Sequence, residues 1–399
     1  DLTVLDTTHP DAVAAVERSV PVNRTLFVVS SKSGTTIETR SHLDYFLERA
    51  GSPDRFVAIT DPGTPLEQDA LAAGFRRVFS APPEVGGRYS ALTVFGLLPA
   101  ALIGADLEAL LASAVRAAQA CGAGGSVGAN PGAVVGTIAA EASLAGRDKL
   151  TLHLDAPMGS LGSWIEQLVA ESTGKEGRGI VPVDGEPPAP MRAVGPDRLF
   201  LSLDRRPPGE PWVRLPLEGP ADLGAAFFVL EFATAVVGHV LGINPFDQPD
   251  VQAAKDRTEE VLRSGRVPDE PPAEVDAVLG QVQGGDYVAI QAFVNPSPET
   301  RERLQAARGR IRDRLGVATT LGFGPRSLHS TGQLHEGGPT TGVFLQVLEE
   351  PTQDLAVPGR EFTFGRLIAA QASGDLRALR ERGRRAARVS MEDLVAWSG

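Results

Sequence analysis

The chain has a single cysteine, Cys121, in 399 residues. No intramolecular disulfide can form, which fits a reducing compartment such as the cytoplasm. Basic charge is also short. Lys plus Arg is 38 against 50 Asp plus Glu, a net charge of −12. That balance excludes a general nucleic-acid binder, which needs a basic face. It leaves open a small anionic substrate, because a pocket can be locally positive on an acidic protein. The start, Asp1-Leu2-Thr3-Val4, has no initiator Met and no basic-then-apolar targeting segment. It reads as a truncation of a longer polypeptide. No solenoid-period repeat and no low-complexity tract is present. Neither a G-x-x-x-x-G-K-[ST] loop nor a strand-linked G-x-G-x-x-G occurs, so ATP and dinucleotide cofactors lack support. Long apolar runs are scarce. The one at 225–243 is about long enough to span a bilayer. However, Glu231 and His239 lie inside it, and Asp222 and Asp247 flank it. A buried core helix is expected there, with no membrane partner.

What remains is ordinary globular composition, 42% hydrophobic and 22% charged. The length allows two or three domains. Strand and helix signals alternate from the start: apolar runs at 25–31, 55–60 and 76–80, with helical spacing at 37–50 and around 65–73. This is the βαβ rhythm of a doubly wound, mostly parallel sheet. Ala-rich helical stretches follow at 107–120 and 133–144. A second round has strands at 149–155, 179–183 and 198–204, a helix at 164–172, a Pro-rich loop at 185–196, and helices at 223–241 and 251–263. After a Pro/Glu-rich linker at 267–274 come strands at 286–294, 317–322 and 342–347, a charged helix at 299–315 and a basic helical tail after Phe364. The arginine block 377–388 in that tail reads as a solvated helix face or an oligomer contact.

Several short segments carry possible chemistry. Ser31-Lys32-Ser33-Gly34-Thr35-Thr36 joins a strand's carboxyl end to a helix's amino end, where unpaired N–H groups favour an anion. Ser31, Ser33, Thr36 and Thr39 can donate to phosphate oxygens, and Gly34 permits close approach of the backbone. The same residues also suit a capped helix start, with Glu38 in the first turn. Hydroxyls without an aromatic platform suit a phosphorylated sugar better than a nucleotide. Gly86-Gly87-Arg88 reads either as a surface turn or as a fixed positive charge aimed at a ligand. Glu171 ends the 164–172 helix at a Gly174 stop signal, where a carboxylate is either simply solvated or reactive. Lys175 and Lys255 are exposed helix lysines or ligand-side cations. His329 and His335 share one Ser/Thr/Gly loop, solvated or acid/base in role. Nothing completes a metal site around them.

Four of these segments occur together and in order: SSKSGTTIET (30–39), GGRYSALTVFGLLP (86–99), WIEQLVAESTGKEGRGIVPV (164–183) and NPFDQPDVQAAK (244–255). They resemble phosphoglucose isomerase, the glucose-6-phosphate isomerase family built on sugar isomerase (SIS) domains. LHSTGQLHEGGPTTGVFLQV (328–347) is similar to the form fused behind a transaldolase domain. The resemblance implies an α/β fold with two SIS-type doubly wound sheets and flanking helices, plus a C-terminal α/β segment. Its expected bounds are 1–146, 147–266 and 267–399, the last carrying the histidine loop and the basic tail.

The resemblance also implies roles. Glu171 matches the catalytic base, Gln167 a sugar-contacting glutamine, and Arg88 the arginine that stabilises the enediolate. Ser31, Lys32, Ser33, Thr36 and Thr39 match the phosphate loop, with Glu38 supporting it. Gln248 and Lys255 match the phosphate-side glutamine and the ring-opening lysine. The histidine loop usual between the glutamate and lysine motifs is missing, and His329, with His335 close behind, is the substitute. The family's Gly-rich segment with a further phosphate-binding serine would precede residue 1. The implied enzyme interconverts glucose 6-phosphate and fructose 6-phosphate, needs no cofactor or metal, and is commonly dimeric. A dual phosphoglucose/phosphomannose isomerase, a non-catalytic sugar-phosphate-binding module and an inactive fragment are the alternatives.

Overall fold

Three parallel sheets organise the chain in a computed structural model, which describes residues 2–399 other than 123, 125, 155–157, 189–193, 204–210, 216 and 218. Asp155, Asp204 and residues 189–193 of the expected Pro-rich loop therefore lie outside the described residues. The chain forms two compact units, residues 1–111 with 350–368, and residues 112–349 with 369–399.

The smaller unit begins with α1 (Pro10–Ser19), β1 (Phe27–Ser30), α2 (Ile37–Ala50), β2 (Phe56–Thr60), α3 (Pro65–Ala73) and β3 (Arg77–Ser80). The strands lie in the order β1-β2-β3, all parallel, with Phe27 opposite Phe56 and Val57 opposite Arg77. Central β2 is buried along its whole length, which is why it reads as an unbroken apolar run, Phe-Val-Ala-Ile-Thr. Pro65 in the first turn and the Thr64 hydroxyl, which accepts from Glu67 N at 3.2 Å, start α3, and left-handed Gly74 stops it. Phe27 and Phe56 stack at 4.7 Å between ring centres. Tyr45, Phe46 and Leu66 close the same core. Helix α4 (Val94–Leu102) follows, capped by the Thr93 hydroxyl, and α5 (Leu107–Ala120) comes next.

The larger unit continues with α6 (Pro131–Leu144), β4 (Lys149–His153), α7 (Leu161–Thr173), β5 (Val181–Val183), β6 (Arg198–Ser202), β7 (Trp212–Arg214) and α8 (Leu223–Leu241). Strands β5-β4-β6-β7 form its first parallel sheet. Helix α8, with the turn before it (Pro220–Leu241), is long and apolar enough to cross a membrane. It packs its Ala226, Val229, Ala233 and Val237 face inside the protein. Gly132 and Gly136 of α6 let Phe232 and Ala233 come close, and Trp164 of α7 meets Phe227 edge-on at 4.8 Å. The chain then runs through α9 (Gln252–Ser264), α10 (Val275–Leu279), β8 (Tyr287–Phe293), α11 (Pro298–Leu315), β9 (Ala318–Phe323), α12 (Arg326–Ser330), α13 (Gly332–Gly337), β10 (Gly342–Leu348), α14 (Phe364–Glu381), β11 (Arg385–Arg388) and α15 (Met391–Ala396). Strands β11-β10-β8-β9 make the second parallel sheet of this unit. The fold is thus α/β with parallel sheets and flanking helices, as expected.

Two local expectations differ. The segment with His329 and His335 is not a loop but two short helices, α12 and α13, joined at Thr331. Its small polar residues pack, with Ser327, Ser330, Thr331 and Gln333 buried. The arginine block is not one solvated helix either. Left-handed Gly383 ends the turn after α14, and β11 then pairs with β10 at the sheet edge. Arg388 is consequently buried and donates to Gln346 Oε1 at 2.8 Å, while Arg385 pairs with Asp286 at 2.6 Å.

Candidate active site

Helix α7 sets the site of the larger unit. Ile165, Leu168, Val169 and Ala170 are buried at helical spacing, which leaves Gln167 and Glu171, one turn apart, half-buried on another face. Gln167 Nε2 donates to Glu171 Oε2 at 3.2 Å and to the His329 carbonyl at 3.1 Å. One amide therefore orients the carboxylate and holds α12 beside it. A second tie runs parallel: Ser330 Oγ donates to Glu166 Oε1 at 3.2 Å. Burial pushes the Glu166 carboxyl up to about 7, against the opposing pull of Arg326. The end of α7 is fixed by Thr173, whose hydroxyl donates to Val169 O at 2.8 Å and accepts from Ile180 N at 3.0 Å.

Gly174 is needed for a reason the sequence does not show. Its φ of −75° is ordinary, but a Cβ there would lie 2.3 Å from Leu334 Cα. The turn after Glu171 therefore rests directly on the backbone of α13.

The 244–255 segment is brought to the same place by Lys175. Its buried ammonium donates to the carbonyls of Asn244 and Asp247, and to Asp247 Oδ1 at 2.8 Å. Asn244 Nδ2 donates to Asp247 Oδ2 at 3.0 Å and closes the turn. Gln248 and Lys255 are both exposed, Lys255 in the first turn of α9. Lys175, ambiguous in the sequence, is thus a structural anchor. Gln333, Ser330 and Glu166 were missed altogether. The only sequence signal for Ser330 and Gln333 is the Ser-Thr-Gly-Gln run between the histidines.

The two histidines separate cleanly. His329 is exposed and its own carbonyl contacts Gln167. His335 is buried against Phe344, 4.9 Å between ring centres, and burial with the Arg384 guanidinium nearby pulls its pKa down to about 3. A neutral core imidazole of this kind cannot serve as an acid near neutral pH. Among the described residues no cluster of His, Cys, Asp and Glu could hold a metal ion.

The smaller unit carries the hydroxyl-rich loop and Arg88. Ser31 Oγ and Thr36 Oγ1 are 3.0 Å apart, and Ser31 Oγ accepts from Gly34 N at 3.1 Å. Ser33 Oγ lies 3.0 Å from Thr35 Oγ1, and Thr39 donates to Ser30 O at 3.5 Å. Gly34 has φ +68°, and a Cβ there would lie 2.9 Å from Leu66 N and from Thr64 Cβ. Thr36 takes the N-cap position of α2 without a side-chain cap bond, so the N–H groups of the first turn are not claimed by its hydroxyl. Lys32 turns elsewhere: its ammonium pairs with Asp61 and donates to Pro83 O at 3.0 Å. Arg88 is buried, its guanidinium 5.4 Å from the Tyr89 ring centre.

A glucose-6-phosphate isomerase of Rubrobacter xylanophilus is 30% identical over 289 residues, 57% of this chain and 66% of the relative. One of Symbiobacterium thermophilum is 30% identical over 301 residues, 60% of this chain and 65% of the relative. The chain is related to glucose-6-phosphate isomerases. It spans just under two thirds of the length of these curated relatives. A crystal structure of a glucose-6-phosphate isomerase from Chlamydia trachomatis shares the fold, with a TM-score of 0.53 at 19% identity over 65% of this chain and 63% of that one. No family profile matches the chain.

Proposed function

We propose that this chain is the SIS-domain part of an aldose–ketose isomerase interconverting glucose 6-phosphate and fructose 6-phosphate. The observation that carries the reading is the placement of Glu171: a carboxylate oriented by Gln167, beside the helix bearing His329 and the anchored segment bearing Gln248. Relatives named for this activity support it.

In this mechanism Lys255 and His329 assist opening of the sugar ring. Glu171 takes the C2 proton of the open-chain aldose and returns it to C1. The electron pair left at C2 is held as a cis-enediolate, the O2 proton passes to O1, and the carbonyl thereby moves from C1 to C2. Arg88 stabilises that oxyanion with a charge it does not lose near neutral pH. Gln167 and Gln248 orient the sugar. Ser31, Ser33, Thr36 and Thr39 hold the phosphate, and Lys32 adds its charge when it leaves Asp61. Proton transfer needs an acid/base and an oxyanion stabiliser only, so no cofactor takes part. Residues 1–146 supply phosphate binding, 147–266 the glutamate and lysine, and 267–399 the histidine.

The proposed working form is a cytoplasmic homodimer with a transaldolase domain ahead of Asp1; the 328–347 motif supports the transaldolase domain alone. A coupled assay for fructose 6-phosphate formed from glucose 6-phosphate tests the activity, with mannose 6-phosphate as the second substrate. Turnover of glucose 6-phosphate is expected. Comparable rates on mannose 6-phosphate would make it a dual isomerase, and no turnover of either would leave a binding module or an inactive fragment.

A further inference from the structure

Gln333 is fully buried, at 0% exposure, yet all of its side-chain hydrogen bonds leave its own helix. Nε2 donates to the Gly174 carbonyl at 2.9 Å and to Asp250 Oδ2 at 2.6 Å. Oε1 accepts from Asp250 N at 2.9 Å. Gly174 ends the turn that carries Glu171, and Asp250 follows Gln248 by two residues. Gln333 itself lies four residues after His329. One carboxamide therefore joins the three segments that bear Glu171, Gln248 and His329.

Its surroundings are built around these bonds. Asp250 Oδ1 pairs with Arg382 at 2.7 Å, so both carboxylate oxygens are committed. A Cβ on Gly337 would lie 2.2 Å from Asp250 Oδ2 and 2.8 Å from Gln333 Nε2, so only glycine lets the pair approach. Gly177 N donates to the Gly337 carbonyl at 2.9 Å, a second tie between the Glu171 turn and α13. Buried donors and acceptors of this kind are costly to leave unpaired. The three segments therefore keep one relative arrangement rather than several.

We infer that Gln333 is the positioning residue of the candidate active site, setting Glu171, Gln248 and His329 relative to one another without touching substrate. The inference rests on the isomerase reading proposed above. Displacements of about 1 Å in a reacting geometry cost on the order of 10²-fold in rate.

The test uses the full chain with Gln333→Met, which keeps the length of the side chain and removes its donors and acceptor. The expected outcome is a fall in kcat of about 10–100-fold with KM for fructose 6-phosphate within about threefold. Amide exchange is expected to speed up together in peptides covering 174–177, 244–250 and 326–337. Gln333→Glu sharpens the test. The substituted carboxyl would face Asp250, so the pair would share one proton. Its kcat should approach wild type near pH 6 and fall as pH rises toward 8, a dependence that mere loss of packing does not produce.

Wild-type kcat in Gln333→Met, or exchange accelerated in 326–337 alone, overturns the inference. If Gln333→Met does not fold, the pH dependence of Gln333→Glu decides, and a flat profile overturns it. Glu171→Gln is run in parallel. Full turnover in that variant defeats the isomerase mechanism itself, whereas the exchange result concerns only Gln333.

Discussion

The hydroxyl-rich loop of the smaller unit and the frame around Glu171 in the larger unit are built in opposite ways. In the loop, Ser31, Ser33, Gly34, Thr35 and Thr36 bond mostly to one another, within five residues of sequence. Around Glu171, the ties run from Gln167 to His329, from Lys175 to Asp247 and from Gln333 to Gly174, separated by 162, 72 and 159 residues. On the proposed function, phosphate binding would thus be written in one short motif, whereas the reacting groups would be assembled by packing. Changes in the loop should therefore alter affinity, and changes in the frame should alter turnover or stability.

The strongest challenge to that division comes from Arg88, which stands in the smaller unit but is assigned to the transition state. Arg88→Gln should lower kcat about 10²–10³-fold. A change confined to KM would move Arg88 into the binding group. Next, Ser33→Ala combined with Thr36→Ala would remove the two bonds proposed to the phosphate, each worth about 1.5–3 kcal/mol for a charged acceptor. KM should rise at least about 10²-fold, with the urea midpoint and kcat little changed. An unchanged KM would remove the loop from phosphate binding.

Lys175→Met probes the frame. It leaves the Asn244 and Asp247 carbonyls without the buried ammonium, at a cost of about 1–3 kcal/mol in unfolding free energy. An unaltered urea midpoint would mean that the 244–250 segment is held by other contacts.

The smallest effect separates the two histidines. His335 titrates at about 3 when folded and near 6.5 when unfolded. Its contribution is present above pH 6.5 and is lost as pH falls from 6.5 toward 3. At pH 5 that loss is about 2 kcal/mol. His335→Phe should therefore show a shallower decline in stability between pH 7 and pH 5 than wild type. An equal decline would place the titration elsewhere.

The same contrast governs what the sequence revealed. Strands such as β2 and helices such as α3 were legible because their apolar runs, proline starts and glycine stops are local signals. The expected helix at 223–241 matches α8. The Ser/Thr loop and the Glu171 helix end were legible for the same reason. Lys175, Gln333 and the Glu166–Ser330 bond were not, because each depends on a partner more than 70 residues away. Gly174 stops α7 as expected, but its close contact with Leu334 has no local signal. The β11 strand was hidden because arginine-rich sequence carries no period-2 apolar pattern. It forms because β10 offers it an edge.

The role proposed for Glu171 is to move the proton between C2 and C1. The direct measurement is deuterium entering C2 of glucose 6-phosphate in D₂O, followed by NMR for wild type and Glu171→Gln. A positioned base contributes on the order of 10²–10⁴ in rate. Wild type should exchange the C2 proton, and Glu171→Gln should slow exchange by at least about 10²-fold while still binding the sugar phosphate. Exchange at the wild-type rate in Glu171→Gln would contradict it.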